Sequence, residues 1–369
     1  MADAVRPAGA DVMPIRWRLA VYGLLAFVPL APILERVGVD SAWVFGAAAL
    51  ALVPLSRLVG RANEEVAAYA GARAGGLLTA TLAYAPQLVL CTLALAAGRH
   101  ELVKASITGA LLSTLLLVMG LAFFAGGLRH RRQYFNREQA ELSATMMVLS
   151  VIALAVPALY GTFVPAPRNS GPIESLSEGV AATMLVVYAL ALYFALFWDD
   201  EPSAIAGAPA AAPRWPLRRA LATLAAALVG VAWLGSIFVD QIGPLTRDHG
   251  VTEMFVGLII VPLATNVSAH FMGVEMAWRN RADISIAATL GSSIHIALFV
   301  APLLVFLSLL LGHPMDLIFS PLELVALAAA SGVATLVAHD GASNWLEGVM
   351  LMAVYAMLAM AFWWAPGIR

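Results

Sequence analysis

Residues 253–302, EMFVGLIIVPLATNVSAHFMGVEMAWRNRADISIAATLGSSIHIALFVAP, are a second version of residues 71–120, GARAGGLLTATLAYAPQLVLCTLALAAGRHELVKASITGALLSTLLLVMG. A shift of 182 residues lays one on the other without a gap. Gly75 falls on Gly257, Arg99 on Arg281, Glu101 on Asp283, Ala105 on Ala287 and Gly109 on Gly291. The identities are few, but they fall on small residues and loop charges around the same two hydrophobic spans. Duplicated membrane halves are a recurring plan of transporters, in which the substrate site lies between the repeats near the bilayer midplane. The centres of the two segments, Ala83-Tyr84-Ala85-Pro86-Gln87 and Thr265-Asn266-Val267-Ser268-Ala269-His270, hold no carboxylate.

Composition places the chain in the bilayer. Of 369 residues 61% are hydrophobic and 12% charged, and mean hydropathy is +0.86. Soluble domains carry about a quarter charged residues. Apolar runs of membrane-spanning length recur from end to end. The expected fold class is an all-α polytopic membrane protein, with the lipid bilayer as its partner. A net charge of −2 supplies no argument for a nucleic-acid partner. The single cysteine, Cys91, lies in an apolar span, forms no internal disulfide and reads as a buried, inert thiol. Arg6, Arg16 and Arg18 precede the first span, which reads as retained rather than as a cleaved signal. No nucleophile elbow, zinc pair or phosphate loop is present, so neither an enzyme nor a cofactor is expected.

Eleven spans are expected, at 18–34, 41–58, 75–97, 104–127, 141–164, 178–198, 217–239, 252–277, 284–311, 320–339 and 345–365. The resulting domains are 1–40, the N-terminus and first helix; 41–198, a five-helix repeat; 199–216, a linker; and 217–369, the second repeat. Five is odd, so the repeats enter the membrane from opposite sides and are inverted. Fifteen of the 21 basic residues fall in connections on the amino-terminal side of this plan and six on the other. The positive-inside rule then puts the amino terminus in the cytoplasm and the carboxyl terminus outside, in a plasma (inner) membrane. The linker opens with Asp199, Asp200 and Glu201, continues Ala/Pro-rich and reads as a flexible tether.

The strings ASITGALLSTLLLVMGLAFFAGGLRHRRQYFN (105–136) and NRADISIAATLGSSIHIALFVAPLLV (280–305) resemble the two repeats of the calcium/proton exchanger family, within the calcium/cation antiporter superfamily. GVTEMFVG (250–257), Met315-Asp316-Leu317, Leu322-Glu323 and HDGASNW (339–345) agree with it. The resemblance covers the chain from about residue 60 onward. It implies a one-plus-five-plus-five helix plan and exchange of a cytoplasmic cation, usually calcium, for protons.

The resemblance also exposes a departure. Each family repeat carries a Gly-Asn-Ala-x-Glu core whose two glutamates hold the cation and accept protons. Here the first asparagine is Tyr84 and its glutamate is Gln87, whereas the second core keeps Asn266 and His270 but has Ala269 for its glutamate. On the following helices Ser113 matches, Thr114 replaces an asparagine and His295 replaces a glutamine. The expected cavity lining is therefore Tyr84, Gln87, Ser113, Thr114, Asn266, Ser268, Ala269, His270, Ser292 and His295.

Calcium takes 6–8 oxygen ligands, with carboxylate charge setting its affinity. A neutral amide-and-hydroxyl site is a poor exchange for a divalent ion's hydration shell at mid-membrane. Proton coupling then falls to His295 or His270, which titrate near neutrality. Each also reads as a helix-packing hydrogen bond. Imidazoles would favour a transition metal over calcium; the metal, if any, is left open. Pro86 is expected to break its helix. Glu275 reads as an ion-pair partner of Arg279, and the run Arg129-His130-Arg131-Arg132 as a topology signal with anionic lipid as its functional alternative. The leading expectation is a secondary transporter moving a small cation against protons, with altered specificity or impaired calcium transport. The alternatives are a non-transporting relative used for binding, sensing or assembly, and a carrier for a neutral or organic substrate.

Overall fold

Residues 21–163, 171–197 and 212–364 are described in the computed structural model of the chain. Arg6, Arg16 and Arg18, the first residues of the span 18–34, and Asp199, Asp200 and Glu201 of the linker lie outside the described residues. Twelve helices are described. They are α1 (Phe27–Val37), α2 (Ser41–Leu82), α3 (Ala85–Ala96), α4 (His100–His130), α5 (Arg137–Phe163), α6 (Gly171–Phe197), α7 (Leu217–His249), α8 (Glu253–Thr265), α9 (Val267–Trp278), α10 (Ala282–Leu310), α11 (Pro321–Asp340) and α12 (Trp345–Trp364).

Eight of these helices are long and apolar enough to cross a membrane, and α8 with α9 forms one more span bent by 64°. The expected span 75–97 is divided between the last turns of α2 and the short α3. Local signals start and stop the helices where backbone groups need partners. The Asp40 carboxylate accepts from Ala42 N–H at the start of α2. Ser320 and Glu323 close a reciprocal capping box on α11.

The helices segregate by burial. In α4, 83% of the most apolar window is buried inside the protein, against 22% in α6 and in α12. So α4 is the central helix, and α6 and α12 present their apolar faces outward, to lipid. α10 follows α4 in burial. Both central helices carry a π-turn, at Ser113–Val118 and at Ile296–Val300. Such insertions concentrate at functional sites.

The repeat is visible in the backbone. Tyr84 (φ −97°, ψ 6°) and Asn266 (φ −97°, ψ 22°) interrupt the helices with the same conformation. Gly98 (φ 71°) and Asn280 (φ 59°) turn the chain in the left-handed region before α4 and α10. Glycine has no Cβ to clash there, and asparagine is among the few other residues that tolerate it.

One addition to the helices is a two-stranded antiparallel ladder of β1 (Arg132–Tyr134) and β2 (Ala342–Asn344), with Arg132 opposite Asn344. It ties the connection after α4 to the connection before α12. At the same end Gln133 Nε2 donates to Ala277 O at 2.7 Å, and Asn136 N to Asp283 Oδ1. At the other end Asp40 pairs with His249 at 3.0 Å, Lys104 with Asp316 at 3.3 Å, and Arg99 with Glu253. These contacts gather the connections into two sets, one at each end of the bundle.

The repeats differ in one contact. A Cβ added at Gly109 would stand 2.1 Å from Leu258 O, and one at Gly257 2.6 Å from Leu102 O, so α4 and α8 meet backbone to backbone. Gly75, the counterpart of Gly257, instead faces Ala67 O across the kink that Gly71 (φ 80°, ψ 177°) puts in α2, and nearby Leu77 is 39% exposed.

Candidate functional site

The two helix breaks approach one another at the centre of the bundle, where the last turn of α8 packs against both α2 and α3. A break exposes backbone groups at a depth where water is scarce, and such breaks persist only where protein or a cavity satisfies them. Tyr84 and Asn266 sit at these breaks. The expectation that Pro86 makes the first one is corrected. Pro86 lies in the first turn of α3 and the chain turns before it, at Tyr84. In a first turn the missing N–H of proline is no loss.

Gln87 is fully buried. Its Nε2 donates to Ser106 O and Ser106 Oγ, both at 3.4 Å, and its Oε1 has no partner. Asn266 is also buried, and neither its Oδ1 nor its Nδ2 is partnered. His270, on the same helix one turn on, has an unpartnered Nε2. Buried polar atoms without partners are rare, because each costs about 1–3 kcal/mol. Gln87, Asn266 and His270 place such atoms at and near the two breaks.

Tyr84 sits at the first of these breaks. Its hydroxyl lies on the Ser292 side, and its ring stacks on His295 with centroids 5.8 Å apart. On the other side His295 meets Tyr188 edge to face at 5.4 Å, and Tyr188 stacks on Phe299 at 5.2 Å. His295 Nδ1 lies 2.6 Å from Gly291 O. A carbonyl only accepts, so Nδ1 carries the proton and Nε2 is the position at which a further proton would be taken. An imidazolium there would lie against two tyrosine rings, which favour a cation.

The other expected residues divide. Ser113 Oγ and Thr114 Oγ1 both donate to Ala110 O, at 3.1 and 2.7 Å, so these hydroxyls turn back on their own helix. Ser268 Oγ lies 3.4 Å from Ser56 O, packed where a Cβ on Gly60 would clash with it. Ala269, the counterpart of Gln87, offers a methyl group only. Glu275 pairs with Arg279 at 2.6 Å, as expected of an ion pair. Tyr188 and Ser106 were not singled out by sequence; Tyr188 lies on α6, outside the duplicated segments, where no spacing marks it. Among the described residues no group of three or more histidine, cysteine, aspartate or glutamate side chains could hold a metal ion.

Comparison with known proteins bears on this arrangement. The family described as "Sodium/calcium exchanger protein" matches residues 40–197 and again 219–364. The chain is 37% identical to a Ca(2+)/H(+) antiporter of Aphanothece halophytica, over 94% of this chain and 96% of that one. It is 34% identical to the Ca(2+)/H(+) antiporter ChaA of Bacillus subtilis, over 91% and 96%. The structure of native YfkE superposes with a TM-score of 0.81 at 32% identity, covering 93% of this chain and 99% of that one. The H+/Ca2+ exchanger CAX, at 15% identity and a TM-score of 0.71, shares the fold. The chain is an integral membrane protein of the sodium/calcium exchanger protein family and belongs with its calcium/proton exchangers.

Proposed function

We propose that the protein is a secondary transporter that moves a small cation in exchange for protons across the plasma membrane, with weak or absent calcium transport. Its scaffold supports exchange, since the relatives in Aphanothece halophytica and Bacillus subtilis are named as Ca(2+)/H(+) antiporters. The observation that carries the altered specificity is the neutral centre. Gln87 and Asn266 present unpartnered amide atoms, and Ala269 presents none. Amide dipoles stabilise a divalent ion far less than carboxylates do, and an ion that has shed its water at mid-membrane needs that stabilisation. A singly charged cation sheds water at lower cost and suits such a site better.

Proton coupling is assigned to His295 ahead of His270. His295 is buried, has its Nδ1 on Gly291 O and has two aromatic rings beside it. A positive charge taken up there would repel a cation from Gln87 and Asn266, which is the sign antiport requires.

The domain plan belongs to the same proposal. Residues 41–198 and 217–369 are inverted repeats, residues 1–40 and 199–216 flank and join them, and the amino terminus is cytoplasmic. The tight α4–α8 contact then lies on the outer side.

The test is flux from purified protein in liposomes carrying a pH gradient, with sodium, potassium, calcium and manganese tried in turn. Proton-linked movement of a monovalent ion with little calcium movement is the expected result. Robust calcium-driven proton release would refute the reading. No movement of any ion would favour a non-transporting or neutral-substrate role.

A further inference from the structure

The basic run at the end of α4 is divided by the structure. Arg129 Nη1 donates to Trp278 O and its guanidinium lies over the Trp278 ring, while His130 also meets Trp278 O. Arg137 is engaged by Glu141 and His339. Between them Arg131 and Arg132 are both exposed. Among the described residues, neither guanidinium is given an ion pair or a hydrogen bond. The acid nearest in charge terms to Arg132 is Glu347, whose Oε1 is taken by Asn344 Nδ2.

These two arginines border an open surface depression together with Asn344, Trp345 and Leu346. Arg131 is held at φ 62°, ψ −59°. An arginine in that region is strained, and strain of this kind collects at ligand clamps. The floor is rigid: a Cβ on Gly127 would lie 2.3 Å from Trp345 N, and one on Gly348 2.4 Å from Phe124 N. So α4 and α12 are in backbone contact beneath the depression, and neither can shift to fill it.

The surroundings say what fits. Trp345 stands 47% exposed at the start of the span α12, the level at which tryptophan marks the membrane–water boundary. Leu128, Leu346 and Met350 are exposed on the flanks of α4 and α12. The depression thus offers two exposed cations at headgroup depth with an apolar wall running into the bilayer. We propose that it is a binding site for an anionic phospholipid, with the phosphate on Arg131 and Arg132 and an acyl chain along Leu128, Leu346 and Met350. The site also touches the transport machinery. Gln133, next to Arg132, grips Ala277 O and Asn280 Oδ1 at the end of α9, the helix that carries His270.

The test uses the full-length protein in detergent, titrated with phosphatidylglycerol, phosphatidylcholine or inorganic phosphate. Thermal midpoint and lipid retained in native mass spectra are the readouts. Phosphatidylglycerol is expected to stabilise the protein and stay bound, because a ligand of the folded state raises its stability by mass action. R131N/R132Q should weaken that binding about 30-fold, at ~1 kcal/mol per basic residue and ~1.4 kcal/mol per tenfold. R132Q alone, at a residue with ordinary strand backbone, should weaken it about 5-fold and decides the matter if the double variant does not fold. R218Q/R219Q, a pair at the start of α7, should leave binding unchanged. Equal stabilisation by phosphatidylcholine, inorganic phosphate acting as well as the lipid, or unchanged binding in R132Q would each overturn the proposal.

Discussion

Tyr84 and Asn266 stand 182 residues apart and break their helices with the same backbone conformation, yet their side chains differ in what they meet. Tyr84 turns its ring onto His295 and its hydroxyl to Ser292. Asn266 keeps both amide atoms without a partner. The equivalent positions are therefore chemically unequal: a ring packed against His295 at one, an unpartnered amide at the other.

The aromatic column makes a prediction about pH. If protons are taken up at His295, His295→Gln should flatten the pH dependence of transport, while His270→Gln should keep it. Flux measured from about pH 5.5 to 8, a range that spans the ordinary histidine pKa, separates them. The reverse pattern would transfer the role to His270.

Lys104 is the chain's one lysine, and it is buried. It reaches Glu101 at 2.8 Å, Asp316 at 3.3 Å and Ile318 O at 3.1 Å, tying α4 to the connection after α10. Breaking a buried pair from one side leaves a charge uncompensated. Lys104→Met should therefore destabilise the protein by about 3 kcal/mol, and Lys104→Arg should restore part of the loss. Denaturant titration in detergent measures both.

The α4–α8 contact predicts a contrast between two glycines. Gly109→Ala should lower the thermal midpoint strongly, since its Cβ would fall 2.1 Å from Leu258 O. Gly332→Ala, in the helix α11 with nothing within 4 Å of the new atom, should leave the midpoint unchanged or raise it. Similar losses at both positions would mean that the contact is not a close one.

Orientation can be read with cysteine labelling. Cys91 is buried and should give no background. In a Cys91→Ala background, a cysteine at Glu101 should react with an impermeant thiol reagent in intact cells. One at Tyr134 should react only after permeabilisation. The opposite result would invert the topology.

Much of this was legible in the sequence because membrane helices announce themselves by apolar length, and because the duplicated segments share small residues where the chain must turn or pack closely. Gly109 and Gly257 are such residues. The break was displaced from Pro86 to Tyr84 because proline marks both the middle of a kink and the first turn of a new helix, and sequence alone does not separate the two. The β1–β2 ladder was not foreseen, since three-residue strands in charged connections have no periodicity and their pairing spans more than two hundred residues. Tyr188 was missed for a related reason: its contact with His295 is purely tertiary. The turn of Ser113 and Thr114 back onto Ala110 O is the usual helix back-bonding of hydroxyl side chains, which competes with lining a cavity and is not decided by residue type.

The central claim is that the exchanger scaffold is intact and its calcium-holding charge is absent. Calcium titration calorimetry on the purified native protein and on Gln87→Glu/Ala269→Glu tests it most directly. The expected result is no saturable calcium binding by the native chain and a clear, saturable isotherm for the double variant, with a matching rise in thermal midpoint. Saturable, tight calcium binding by the native protein would contradict the claim.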